Sequence, residues 1–356
     1  MQSWWRIAIL LAVAGAQTSP ISLREAADRC GLLVGTAVRP GQFAEAAYAQ
    51  TLAREYNLVE PEDAMKWWVV RQSADSFNFQ QGDEVVRFAQ AHGMKVRGHC
   101  LVWDRSNPDW LTQGNFTPAQ MSDLLRQHIT TVMRHYAGQV FAWDVVNEAL
   151  DEFGEPKNSP WYNQPGIGLS HAGTAYIEQA FRWAREADPQ ALLFYNEAEG
   201  EKLNRKSDAI YAMAADFKRR GVPLDGLGMQ MHLSDFDIDV SALAKNIARL
   251  TALGLQVHIT ELDVALPVDA TGAATAEHLL RQAEVYRKVV RACLDNPGCT
   301  AIQTWGFTDK YSWIGSHSRH TQGNALPFTR TYDAKAAYAA LLREISSGRG
   351  KSFRAP

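Results

Sequence analysis

The chain has 356 residues, a net charge of -3 and 46% hydrophobic residues, so it can form a large core and has no basic excess to draw nucleic acid. That length suits two average domains or one α/β barrel with long loops. Its 11 tryptophans suit stacking on sugars, though packing would use them equally well.

The chain opens on "MQSWWRIAILLAVAGAQTSP", with Arg6, an apolar run from Ile7 to Gly15, and Ala14, Gly15 and Ala16 in an A-x-A arrangement. The run is too short for a membrane span. It reads as a secretory leader over residues 1–16, cut near Ala16, after which nothing remains to hold a membrane. The expected product is secreted, extracellular or periplasmic, and export permits disulfides.

From residue 22 onward, short apolar runs alternate with segments of helical period. In chain order the expected strands cover 32–38, 58–63, 95–103, 141–148, 191–197, 226–233, 256–264 and 300–307. Between the fifth and sixth, "SDAIYAMAADFKRRG" has Ile210, Met213, Ala214 and Phe217 on one face, Ser207 as a cap candidate and Gly221 as the stop. Eight strands alternating with helices, with no linker between them, predict one (β/α)8 barrel over residues 22–346 and a short tail over 347–356. A doubly wound open sheet is the alternative on alternation alone.

The strand ends separate these two folds. "FAWDVVNEAL" runs Trp143, Asp144, Val145 and Val146 into Asn147 and Glu148, putting a carboxylate where burial without a partner would cost several kcal/mol. Such a strand should open into a polar site. Six other runs end in the same way: Glu62 and Asp63, His99 and Trp103, Asn196 and Glu197, Gln230 and His232, Glu261 and Asp263, and Trp305. A barrel would bring all of these to one mouth, where barrel active sites lie. Glu148 and Glu261, three strands apart, could then face each other as the carboxylate pair of a glycosidase. His99, His232, Glu261 and Asp263 could instead ligate a metal, but they lack the short histidine spacing of a zinc helix, so no metal is expected. By strict alternation His258 faces away from Glu261 and reads as a packed or bonded structural histidine.

As a set, "WDVVNE", "HITELDV", "PEDAMKW", "RGHCLVWD" and "TWGFTDKYSW" resemble the family 10 glycoside hydrolases, the retaining endo-β-1,4-xylanases, from about Leu23 to Ile345. The resemblance implies a monomeric enzyme that needs no cofactor and takes xylan and xylo-oligosaccharides. Residue by residue, it implies Glu148 as acid/base and Glu261 as nucleophile, with His232 and Asp263 supporting the nucleophile. Asn147 matches the group that bonds the 2-hydroxyl of the reacting sugar, and Gln230 lies on the sixth strand with His232. Glu62, Asp63 and Lys66 match the glycone-side group, His99 and Trp103 line the reacting subsite, and Trp305 and Trp313 roof the cleft. That roof would crowd a hydroxymethyl at C5 and so favour xylose over glucose. An ionised Glu261 should raise the pKa of Glu148. The resemblance also implies a Cys293–Cys299 bridge across "LDNPG"; Cys30 and Cys100 read as buried thiols.

The family pattern breaks at three positions. Asp63 stands where asparagine is common, and "WDRSNP" puts Asp104 and Ser106 where histidine and glutamine are frequent. An ionised aspartate only accepts hydrogen bonds, so subsite affinity and the choice between xylan and β-1,4-glucan should be affected before catalysis is. Glu62 and Asp63 are expected to share the single ammonium of Lys66. A binding protein that has lost catalysis is the remaining reading, and the presence of both glutamates and Asp263 argues against it.

Overall fold

Valine, leucine and isoleucine, with alanine, cysteine and aromatic residues, supply the apolar positions of the runs that become strands. The computed structural model describes residues 21–348 apart from 235 and 237, so the expected leader and most of the tail lie outside the described residues. Among the described residues, eight parallel strands form the barrel: β1 Leu33–Val38, β2 Leu58–Pro61, β3 Lys95–Val102, β4 Ala142–Asn147, β5 Leu192–Glu197, β6 Gly226–Met229, β7 Gln256–Val264 and β8 Cys299–Thr304. Each strand pairs with the next, and β8 returns to β1 with Ala301 opposite Leu33, which closes the ring and excludes the open sheet.

The longer helices are α1 Leu23–Cys30, α2 Ala46–Glu55, α3 Gln80–Ala91, α4 Pro118–His135, α5 Ala175–Ala187, α6 Arg205–Arg219, α7 Val240–Thr251, α8 Ala276–Leu294 and α9 Ala336–Ser346. Helix α4 starts at a capping box of Thr117 and Gln120 with Pro118 in its first turn. In α6 the cap is Asn204, whose side chain accepts from the Ser207 N–H; Ser207 is the third helical residue and not the cap the sequence suggested. Gly221, at φ 65°, does mark the end of that helix.

Strand residues such as Trp143, Val145 and Leu193 share one continuous buried cluster with helix residues such as Ile129, Ile177 and Phe181. Across the middle of the barrel run polar bonds. Arg97 pairs with Asp144 and lies 2.8 Å from His258 Nδ1, while Gln303 donates to Glu60 at 2.7 Å. Removing one partner from such a fully buried pair should cost about 3–5 kcal/mol, because the other charge is stranded.

His258 therefore projects into the barrel, which corrects the outward orientation expected from alternation. Between Ile259 and Leu262, β7 advances three residues while β8 advances two from Ile302 to Thr304, and the extra residue resets which face each side chain takes. Its structural role stands. Burial, reinforced by the Arg97 charge, pushes its pKa well down. The neutral ring can accept from Arg97 through Nδ1 and donate through Nε2 to Thr300, 3.0 Å away.

The predicted bridge is present. Cys293 near the end of α8 joins Cys299 at the start of β8, with Cα atoms 5.2 Å apart, and Cys299 N–H donates to the Asn296 carbonyl at 3.0 Å to close the turn. Cys30 and Cys100 are both buried.

Candidate active site

The C-terminal ends of β2 to β8 deliver the polar residues singled out in the sequence, and two departures from regular strand geometry aim them. Strand β4 stops at Asn147, and Glu148 takes φ 51°, a left-handed conformation that is strained for a side chain of this size. Its N–H still finds the Asn196 carbonyl at 2.9 Å. The sequence suggested one run over 226–233, but β6 ends at Met229 and Met231 turns at φ 64°. His232 then pairs beside Asp263 in a two-residue strand, His232–Leu233.

Glu261 lies in the C-terminal half of β7 and is buried. Asn196 Nδ2 donates to its Oε1 at 2.7 Å, and His232 Nε2 lies 3.0 Å from its Oε2. On the other side of the ring, His232 Nδ1 is 2.9 Å from Asp263 Oδ2, which also accepts from the Trp313 indole at 2.8 Å. Both ring nitrogens face carboxylate oxygens, so both must donate, and the imidazolium is the form that fits. Burial disfavours that cation, but Asp263 and Glu261 outweigh it and raise the pKa of His232 well above its usual value.

Glu148 is held differently. Trp103 Nε1 donates to its Oε2 at 3.2 Å, Gln230 Nε2 donates to its Oε1 at 3.0 Å, and Lys157 Nζ stands 3.8 Å from Oε2. Burial pushes this carboxyl up, but the Gln230 bond, Lys157 and the Trp103 bond together bring it below the usual glutamate value. The expected upward push from Glu261 is not what dominates. Asn147 Oδ1 accepts from Asn196 at 2.8 Å and from Gln230 at 3.3 Å, so two amides tie the surroundings of one glutamate to those of the other.

Lys66 is buried, with its ammonium 4.9 Å above the Trp103 ring and 5.7 Å from Trp305. It bonds Asp63 Oδ1 at 3.2 Å. Glu62 does not share that ammonium, as the sequence suggested; it takes both an Nε bond at 2.8 Å and an Nη2 bond at 2.5 Å from Arg39, which also lies 3.6 Å from Asp63. Glu62 is thus paired with Arg39, while Asp63 lies between Lys66 and Arg39.

His99 Nδ1 lies 3.0 Å from Asp144 and 3.4 Å from Glu60, with the Trp305 ring edge-on at 5.3 Å. Glu60, His99 and Asp144 each place a possible ligand atom within 4.8 Å of the others. However, Arg97 is paired with Asp144 and stands 3.8 Å from Glu60, so a guanidinium already supplies the cation there. The four residues weighed as metal ligands fall into two separate groups, His99 in this one and His232, Glu261 and Asp263 in the other.

Two carboxylates tied together through the Asn196 and Gln230 amides, with the Trp103 indole on Glu148 and the Trp313 indole on Asp263, form a constellation that could serve a glycosidase. The family model for glycosyl hydrolase family 10 matches residues 22–344. The chain belongs to glycosyl hydrolase family 10. Endo-1,4-beta-xylanase B of Thermotoga neapolitana is 38% identical over 345 residues, 95% of this chain and 96% of that protein. The crystal structure of native xylanase 10B from Thermotoga maritima has a TM-score of 0.86 at 40% identity, covering 91% of this chain and 98% of that one. Xylanase 10B from Thermotoga petrophila RKU-1 in complex with xylobiose has a TM-score of 0.87 at 38% identity, covering 93% of this chain and 100% of that one.

Within this family 10 barrel, all thirteen residues proposed for catalysis and binding from the sequence gather at the strand ends or the loops that follow them. Five participants were missed or left without a role. Asn196, noted only as a polar strand end, links Glu261 to Asn147, and Thr260 Oγ1 donates to its Oδ1 at 2.8 Å. Gly228 makes room for it, since a Cβ there would lie 2.1 Å from Asn196 Oδ1. Arg39 and Lys157 sit in loops with no periodic signal, and only their contacts reveal them.

Proposed function

We propose that this family 10 hydrolase is a secreted, retaining endo-1,4-β-xylanase that cuts internal bonds of xylan through a covalent glycosyl-enzyme. The observation that carries the reading is the unequal treatment of the two glutamates. Glu261 is buried between the His232 ring and the Asn196 amide, which fix its orientation as a nucleophile requires, while Glu148 is partly open and is met by Trp103, Gln230 and Lys157.

In the first half-reaction Glu261 attacks the anomeric carbon while Glu148 gives its proton to the leaving oxygen. In the second, Glu148, now a carboxylate, takes a proton from water, which displaces Glu261 from the sugar. Asn147 is suited to the 2-hydroxyl of the reacting sugar, where a bond tightening in the transition state lowers the barrier. Lys66, Asp63, Glu62 and Arg39 offer charged groups to the glycone hydroxyls, His99 and Trp103 line the reacting position, and Trp305 and Trp313 close over it.

A two-step path keeps the configuration, and the carboxyl oxygens of the two glutamates should stand about 5–5.5 Å apart. Proton NMR of fresh xylobiose-aryl hydrolysate should show the β anomer first; an initial α anomer would exclude the covalent route. Reducing-sugar release should be far greater from xylan than from carboxymethylcellulose, and comparable release would move the proposal to a β-1,4-glucanase.

A further inference from the structure

Lys157 reaches the site by a backbone excursion. After Ala149 the chain runs out through a small hairpin, with Leu150 bridged to Pro156 and Asp151 N–H bonded to the Glu155 carbonyl at 2.9 Å. It then returns so that Lys157 N–H donates to the Ala149 carbonyl at 2.9 Å. Nine residues after Glu148, this register sets an ammonium 3.8 Å from its Oε2. The same small cavity is lined by Trp103, Asp104, Ser159 and Tyr176. Asp104 Oδ1 is buried and has no hydrogen-bond partner among the described residues.

We propose that Lys157 is a positioning residue for the Glu148 carboxyl, a fixed cation that favours its ionised form, and that Asp104 is the anion that moderates it. The inference rests on the reading of Glu148 as acid/base. The charges facing Glu148 are Lys157 from its own loop and Arg105 and Asp104 from the loop after β3; Trp103 and Gln230 contribute neutral donors. Lys157 also acts on Glu197, but that carboxylate already has Lys206 from α6 at 2.9 Å. Tyr176 approaches from α5 and is kept protonated by burial, with Glu197 and Asp104 adding to the effect.

A cation here makes Glu148 a stronger acid toward the leaving oxygen, and it limits how far up in pH the protonated form survives. Asp104, standing where the family pattern has histidine, has its pKa raised by burial against the Lys157 charge, and in its ionised form it works in the opposite direction. The two substitutions therefore have opposite signs, which a purely structural role would not produce.

The experiment is the pH profile of kcat/KM on an aryl xylobioside for the full chain and its variants. Lys157→Met should move the alkaline limb upward by about half a pH unit or more and leave the acid limb in place. Lys157→Arg, which keeps the charge, should follow the parent, and Asp104→Asn should move the alkaline limb downward. Lys157→Gln serves if the methionine variant does not fold. An unmoved limb in Lys157→Met, the same shift in Lys157→Arg, or shifts of one sign in Lys157→Met and Asp104→Asn would overturn the proposal. Glu148→Ala with added azide tests the underlying reading separately. Rescue by azide with a β-glycosyl azide product upholds the acid/base role, and parental activity without azide removes that role and this proposal with it.

Discussion

Asn196 Nδ2 lies 2.7 Å from Glu261 Oε1 and 2.8 Å from Asn147 Oδ1, so one buried amide holds the proposed nucleophile and the proposed 2-hydroxyl ligand in a fixed relation. Replacing Asn196 by Ala removes a donor from a buried carboxylate, a loss of about 1.5–3 kcal/mol. We expect kcat to fall about 10–100-fold with a smaller change in KM. Steady-state kinetics on an aryl xylobioside read both, and a change confined to KM would show that the amide acts on binding alone.

Gly228 offers an independent check on that amide. A methyl group there would meet Asn196 Oδ1 at 2.1 Å, and the amide cannot retreat without releasing Thr260 or Glu261. Gly228→Ala should therefore lower kcat in the same way as Asn196→Ala, although residue 228 bonds neither glutamate. The double variant should be little worse than either single variant, since both remove one interaction.

His232 links activity and stability to pH. Its folded pKa is raised by Asp263 and Glu261 against the opposing effect of burial, whereas in the unfolded chain it returns to about 6.5. Its stabilising contribution is therefore complete below about pH 6.5 and is lost as pH rises through the higher folded value. The melting-temperature difference between parent and His232→Gln should shrink steadily above neutrality. A difference that grows with pH would mean the ring is neutral in the folded protein.

At the glycone end, Asp63 bridges Lys66 at 3.2 Å and Arg39 at 3.6 Å. Asp63→Asn restores the donor common in the family and leaves two cations with one carboxylate fewer. We expect a change of about 1 kcal/mol, typical of one hydrogen bond, appearing in KM for xylo-oligosaccharides more than in kcat. A short aryl xyloside that does not reach this subsite should scarcely respond. Equal effects on short and long substrates would place Asp63 at the reacting sugar.

The Cys293–Cys299 bridge closes a short loop between α8 and β8. Short loops remove little unfolded-state entropy, so the pair Cys293→Ala and Cys299→Ala should cost about 2 kcal/mol in the chain-entropy model. Thermal or urea unfolding measures this, and activity at low temperature should be unchanged because the loop lies away from the mouth.

What the sequence determined by itself was the alternation of eight apolar runs with helical segments, which is dictated by local periodicity, and the placing of a polar residue at nearly every run's end. With the motif set, those positions were sufficient to identify the family and to single out both glutamates as candidates. Tertiary structure decided how these residues are paired and aimed. Glu62 goes to Arg39 and not to Lys66 because the loop after β1 lies beside the loop after β2, a proximity that no spacing along the chain encodes. His258 points inward because one extra residue in β7 shifts the pairing with β8, and alternation holds only where pairing is regular. The surroundings of Glu148 were beyond a linear reading for the same reason. Its charge state depends on burial, on Gln230 and Trp103, which reach it from other strands only when the barrel closes, and on Lys157, which the hairpin after Ala149 folds back onto it.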